Sequence, residues 1–501
     1  MTLTRNQFDV TVLGGGAAGS AAARLLASWG HAVHLVTRPA ADARLAVSLP
    51  PSCSKLFDAV GVTGAIAQAQ FIRSTGNTVW WGTEQPRVEM FAGGGRGWQV
   101  ETHVLEAAML AEAGAAGVSI ERRTISDADL TTALPGGSED PPLRFVLDCT
   151  GRAGVVARAR GLRQYDPGPR TIALVGAWRR DPPWPVPDDT HTLVESYETG
   201  WAWSVPVASP QALPPSPRLR WASKPSGPLR HIAVMVDPQR SGLARDVSAM
   251  DVYLTEIAKT LMFRDLTAAA SLHAGPWGWD ASTYQAEHYA GDGWLLAGDA
   301  GSFIDPLSSA GVKKALASGW LAAIVAHTCM TRPAMRQHAL SFYSSREADL
   351  VTEHARASRR FLSEAAPSHR HRFWSDRADE QVIGVGATGS DREGRAVRAA
   401  FEQLRSATAI QLRRNPTLRI DGRPAVQGNE IVLEPRIVAV DDPGGIRHLR
   451  DIDLLALIEL APLHTQVPDL FEAYCRRLAP VALPDFLFVL ATALARGWLV
   501  A

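Results

Sequence analysis

The sequence predicts an α/β protein built on a Rossmann-like sheet, with an inserted antiparallel sheet and a small C-terminal module. Three observations predict it: a strand, glycine turn and helix near the N-terminus, a second strand-loop-helix passage at residues 293–326, and β-like runs between them.

Residues 8–13 form a short apolar strand that enters Gly14-Gly15-Gly16-Ala17-Ala18-Gly19 and then an alanine-rich helix through Leu26. This is a Rossmann-like opening: Gly14 permits the tight turn, Gly16 admits backbone to a pyrophosphate, and Gly19 lets helix and strand pack closely. The helix N-terminus then faces the phosphates. A second strand at 32–36 supplies context, but it ends in Thr37-Arg38 where an acid for the ribose hydroxyls is expected. Ala17, Ala18, Thr37 and Arg38 join the three glycines as candidate cofactor contacts. A second glycine match, Gly384-Val385-Gly386-Ala387-Thr388-Gly389, follows no strand and reads as a loop.

The nucleotide unit continues through a helix at 104–113 and a strand at 144–148 that exits into Cys149-Thr150-Gly151-Arg152. Runs at 171–178, 201–207 and 231–236, separated by proline-rich loops at 182–187 and 210–217, predict an inserted antiparallel sheet. Residues 293–298 then deliver Asp299 into a loop, and a helix starts at Val312 after Gly311. A carboxylate at a strand end can hold ribityl or ribose hydroxyls, and a helix N-terminus stabilises charge on a reduced flavin. A plain loop with Asp299 as a turn residue is the simpler alternative.

Composition narrows the classes. The chain has 501 residues, enough for two or three domains, and its 51 basic residues balance 51 acidic ones. That balance argues against nucleic-acid or anionic-membrane partners. Four scattered cysteines suggest neither a metal site nor a disulfide framework. No signal-peptide pattern opens the chain, and the apolar run 486–495 is too short to span a bilayer, so a cytoplasmic location is expected.

Gly14 to Gly19, Asp148-Cys149-Thr150-Gly151, Gly200-Trp201-Ala202-Trp203-Ser204-Val205-Pro206 and residues 298–311 occur in an order that resembles flavin-dependent tryptophan halogenases and their monooxygenase relatives. The resemblance covers about residues 5–350. It implies an FAD-binding domain of the hydroxybenzoate-hydroxylase type at 1–170 and 285–350, with 45–100 contributing to the substrate side. It also implies a substrate domain at 171–284 and a C-terminal module at 365–501. Gly14, Gly16, Gly19, Asp299, Pro306 and Gly311 carry over as FAD contacts, with Val312 beside them. Trp201 and Trp203 resemble the halogenase tryptophan signature beside the flavin, although period-two spacing equally describes a core strand.

Two departures decide between chemistries. Ile72 stands where halogenases carry the lysine that captures hypohalous acid, and Ser308 where they carry a glutamate. Arg73 is a poor substitute, because a guanidinium stays protonated. The reading therefore favours oxygen transfer to an electron-rich aromatic through a flavin C4a-hydroperoxide, with Pro306, Ser308, Trp201 and Trp203 at the reacting centre. Arg73, Asn77, Trp81 and His191 are candidate substrate contacts, and His103, His191 and Glu195 candidate bases. For each of these bases a hydrogen-bonded structural role is the plainer reading, as core packing is for Trp80 and Trp81.

The final third ends in helices and a Gly497-Trp498-Leu499-Val500 strand, which suggests a small winged-helix-like module without a basic stripe. The 305–309 segment resembles maturases that hydroxylate a tryptophan within a partner protein during tryptophylquinone biogenesis. The expected substrate is an aromatic, including a tryptophan side chain in a peptide or protein, and the reductant is NAD(P)H or a separate flavin reductase. An aromatic halogenase and a catalytically weak, partner-binding flavoprotein are the alternatives.

Overall fold

The strand Val10–Leu13 lies inside a parallel sheet because both its faces are covered, and Val10, Val12 and Leu13 are all buried. The computed structural model describes residues 8–39, 45–125, 144–181, 183–208, 228–243, 247–378, 388–439 and 444–501. The chain divides into two units, Met1–Val382 and Ile383–Ala501.

In the first unit the sheet order is Ala290–Gly291, Trp294–Leu296, Phe145–Asp148, Val10–Leu13, Val33–Thr37 and Ser119–Arg122. All pairs are parallel except the first. The helix Ala17–Ser28 packs between Thr102–Ala115 and Gly311–Thr331. At the second crossing a Cβ on Gly319 would stand 2.3 Å from the Ala18 carbonyl oxygen, so only glycine permits this approach. Gly14, at φ +103°, is equally constrained, because its Cβ would meet the Cys149 oxygen at 2.3 Å.

The expected inserted sheet has seven strands, in the order Ser271–Asp280, Ile172–Arg179, Leu229–Val236, Gly200–Val207, Thr192–Tyr197, Gly76–Trp80 and Arg87–Met90. It is antiparallel except where Thr192–Tyr197 meets Gly76–Trp80. The 76–90 hairpin thus brings N-terminal residues into this layer.

Alternation along the strands gives the sheet two faces. One packs Trp80, Leu174, Ile232 and Val234 against Tyr253 and Ile257 of the helix Ala249–Lys259. The other carries Val79, Trp81, Ala173, Val175, Trp201, Ala233 and Met235 against Leu362, Phe373 and Trp374. Trp374 is fully buried, donates its indole N–H to the Tyr197 carbonyl at 2.9 Å and meets Trp81 edge-on. The C-terminal module therefore does not start at residue 365: the polar-looking stretch after it anchors two aromatics in the first unit, and the second unit begins at Ile383.

In the second unit the long hairpin Arg419–Gln427 and Glu430–Val438 accompanies the helices Leu454–Leu460, Val467–Arg477 and Leu483–Ala495. The terminal strand Leu499–Val500 pairs antiparallel with Arg413–Arg414. The apolar run 486–495 is spent on the core, where Phe486, Val489 and Leu490 pack with Leu457, Leu470 and Trp498. Among the described residues no helix is long and apolar enough to cross a membrane. Residues 384–387 of the second glycine match and residues 182 and 210–217 of the proline-rich loops lie outside the described residues; Thr388 and Gly389 open a helix.

The long helix Arg336–Ala365 buries Glu347 near Lys314 of the Gly311–Thr331 helix. Burial pushes the Glu347 carboxyl up to about 7, against the pull of Lys314. Because the folded value is raised, the stability it confers is full below the ordinary value of 4.5 and is lost as pH rises through about 7. Glu347→Gln is expected to flatten the fall in thermal midpoint across that window, and an unchanged slope would refute this account. Trp374→Ala should cost about 3–5 kcal/mol in denaturant unfolding of the first unit, as for other large core aromatics.

Candidate active site

Two helix N-termini converge where the glycine turn and the Asp299 loop meet. The helix Ala17–Ser28 starts at Gly16 and the helix Gly311–Thr331 at Ala310, and neither has a side-chain cap. Orphan backbone N–H groups are thus available to an anion at both ends. Gly298 joins them: a Cβ there would sit 3.3 Å from Ala18 Cβ and 3.4 Å from Ala315 Cβ. Around Gly311 a Cβ would meet nothing within 4 Å, so the chain leaves open space on that side.

The Asp299 loop is fixed from four directions. The Gly298 N–H donates to Ser318 Oγ at 2.9 Å, and Tyr343 donates to the Leu296 carbonyl at 2.8 Å. Tyr284 donates to the Asp299 carbonyl at 2.6 Å. Lys314 donates to Asp299 Oδ1 at 3.4 Å and to the Ser302 carbonyl, while its side chain is wholly buried. Asp299 itself stays partly open to solvent, at 29% of its side chain. A positioned, accessible carboxylate between two uncapped helix N-termini fits a group that carries both hydroxyls and phosphates, as FAD does.

Behind the glycine turn, Asp148 accepts hydrogen bonds from the Thr150 N–H and hydroxyl and from the Val156 N–H. Burial raises its pKa, and these bonds oppose the rise. Asp148 is therefore a tie that shapes the strand exit. Ala18 lies against Gly298 and Gly319, so it spaces the helices.

Downstream, the Asp305 carboxylate accepts from the Leu307 N–H at 2.9 Å and starts the turn Pro306–Ser308. The Ser308 hydroxyl donates to the Asp305 carbonyl at 2.9 Å, and Ser309 has φ +47°. Desolvation raises the Asp305 pKa, with Arg377 pulling it down. Leu307 packs on the aromatic sheet face with Trp81, Trp201 and Trp374, which places the turn beside that face. Trp201 meets Trp81 at 6.3 Å between ring centroids, edge to face. Trp203, half-buried on the same face, has a buried indole N–H with no acceptor among the described residues.

Alternation separates the other candidates. Asn77 shares strand parity with Val79 and so belongs to the aromatic face. Trp81 is on that face too, pinned by its N–H to the Phe361 carbonyl at 2.7 Å. His191 is on the opposite side: its ring nitrogens lie 2.9 Å from both Thr75 and Thr78 hydroxyls, and Thr78 shares parity with Trp80. Glu195 also points there and accepts from the Leu261, Met262 and Phe263 N–H groups, an acid capping a helix start. Arg73 donates to the Gly97 and Arg96 carbonyls and stacks over Trp98, which makes it an exposed tie between strands. His103 lies 3.9 Å from Glu101 at the foot of the Thr102–Ala115 helix. None of these four reaches the aromatic face, because each is spent on local structure.

Sequence reasoning missed Lys314, Phe373 and Trp374. Lys314 carried a signal, being one of five lysines in an arginine-rich chain and lying, beside Lys313, at the start of a largely apolar helix. The aromatic pair was masked by its polar neighbours.

Comparison with known proteins supports FAD as the cofactor. A sequence-family model described as an FAD binding domain matches residues 7–320. Tryptophan 2-halogenase of Chondromyces crocatus is 27% identical over 352 residues, 67% of this chain and 64% of that one. Flavin-dependent halogenase armH3 of Armillaria mellea is 24% identical over 374 residues, 68% of this chain and 71% of that one. Among solved structures, the flavin-dependent halogenase CmlS superposes with a TM-score of 0.75 at 19% identity, covering 99% of this chain and 96% of that one. The peptidyl tryptophan dihydroxylase QhpG gives 0.60 at 20% identity, covering 98% of each chain. The chain thus belongs to the FAD-binding domain family, as a halogenase-like flavin-dependent oxidoreductase whose cofactor is FAD.

Proposed function

We propose that the protein is an FAD-dependent monooxygenase that hydroxylates an indole or another electron-rich aromatic, including a tryptophan side chain carried by a peptide or protein. One observation carries the reading: the turn Pro306–Ser308 adjoins a face of tryptophans, while the two positions of halogenase chemistry hold Ile72 and Ser308. Ser308 is occupied with the Asp305 carbonyl and offers no carboxylate. Lys259 is paired with Glu256 and Lys314 with Asp299, so neither is a free amine for capturing hypohalous acid.

Bound, reduced FAD supplies the electrons that split dioxygen, one atom entering the ring and the other leaving as water. The chain's own residues hold the aromatic and exclude water. Trp81, Trp201 and Trp374 are buried core that backs this layer, and the partly exposed Trp203 and Leu307 on the same face are the surface left for a flat ring to pack against. An indole is nucleophilic enough to react without an activating base. The likeness to a peptidyl tryptophan dihydroxylase over both units supports a polypeptide-borne substrate, with the second unit, winged-helix-like in its helices and terminal strand, as the docking module. Reduction by NAD(P)H or by a separate reductase is compatible with this arrangement.

Halogenation is the second reading, favoured by the halogenase relatives. Mass spectrometry separates the two: FAD-loaded, photoreduced protein is given labelled dioxygen, bromide, and either free tryptophan or tryptophan peptides. Gain of labelled oxygen on a peptide is expected, whereas a bromine adduct would overturn oxygen transfer. Asp299→Ala should weaken FAD roughly 10- to 100-fold by flavin-fluorescence titration, the worth of hydrogen bonds to a charged group. Unchanged affinity would remove Asp299 from the cofactor site.

A further inference from the structure

The strand that ends in Thr37-Arg38 brings no carboxylate to the glycine turn, yet the fold brings one from elsewhere. Glu106, on the Thr102–Ala115 helix, is the nearest residue to the open side of Gly16: a Cβ there would lie 3.5 Å from Glu106 Oε1. Another near neighbour of the turn is Thr37, whose hydroxyl oxygen would stand 2.9 Å from a Cβ on Gly15. Glu106 is exposed to solvent and makes no hydrogen bond among the described residues. Its surroundings nevertheless raise its pKa through desolvation, with Arg38 pulling it down. Arg38, at the strand end, is thus its charged neighbour.

We propose that Glu106 takes over the role of the missing strand-end acid and accepts hydrogen bonds from the ribose hydroxyls of the adenosine half of FAD, with Arg38 beside it. The acid comes from the helix that follows the 97–101 strand, and strand Val33–Thr37 contributes Thr37 as a spacer against Gly15. The uncapped N-terminus of the Ala17–Ser28 helix would hold the pyrophosphate, so a carboxylate aimed at the phosphates instead would repel them. The two orientations have opposite signs. The inference rests on FAD occupying this cradle and is independent of whether oxygen or halogen is transferred.

The test titrates apoprotein with FAD and with an FAD analogue whose adenosine ribose lacks the 2′ and 3′ hydroxyls, for wild type, Glu106→Ala and Glu106→Gln, with flavin fluorescence as the readout. Removal of the hydroxyls should weaken binding to wild type roughly 10- to 100-fold. Glu106→Ala should weaken FAD by a similar factor, and Glu106→Ala protein should bind FAD and the analogue alike. Glu106→Gln, which keeps shape and loses charge, should fall between. FAD binding to Glu106→Ala as tight as to wild type, or tighter, would overturn the proposal. So would a variant that still discriminates between the two flavins as wild type does. Wild type that binds neither flavin would defeat the cofactor assignment itself, a result distinct from those.

Discussion

The contact between Gly319 and the Ala18 carbonyl governs the cofactor half of this protein. Without a side chain at Gly319, the two helices approach until Gly298 lies against Ala18 and Ala315 together. Their N-termini then open onto one cradle, and the Asp299 loop is trapped between them. The Gly298–Asp299 loop and the start of the Gly311–Thr331 helix depend on that approach. A larger residue would push the helices apart by the width of a methyl group at least, and the two partial positive charges would no longer address the same ligand.

The aromatic half follows from a different constraint, the two-residue repeat of the seven-stranded sheet. It sorts His191 and Glu195 to one side and Trp201, Trp203 and Asn77 to the other, whatever their chemistry. The side with the titratable groups is a structural layer, in which Glu195 caps a helix and His191 is saturated by threonine hydroxyls. The side with the tryptophans is where the turn Pro306–Ser308 arrives. A wall of indoles with few polar atoms suits a reaction whose reactive group comes from the cofactor and whose substrate must be held dry.

Much of this was legible in the chain. The glycine turn, the Asp299 loop and the inserted sheet each have a local signature, since turn chemistry and hydrophobic period are written in neighbouring residues. Which face Arg73, His191 and Glu195 take was not legible, because a side chain's face depends on register, which is set by pairing across the sheet. Lys314 and Glu347 escaped because burial of a charge is decided by helices brought together from distant positions. Phe373 and Trp374 escaped for the same reason, in a stretch whose composition looks like surface.

The burial of Phe373 and Trp374 has a consequence for how this protein is divided in evolution. The long helix Arg336–Ala365 ends well before the second unit, and the thirteen residues 366–378 return to wall the aromatic face. A recombination event that exchanged C-terminal modules at the end of that helix would carry away part of the first unit's aromatic core along with the module. An exchange that keeps the first unit's core intact must fall beyond Trp374, so the two units can be traded separately only near Val382.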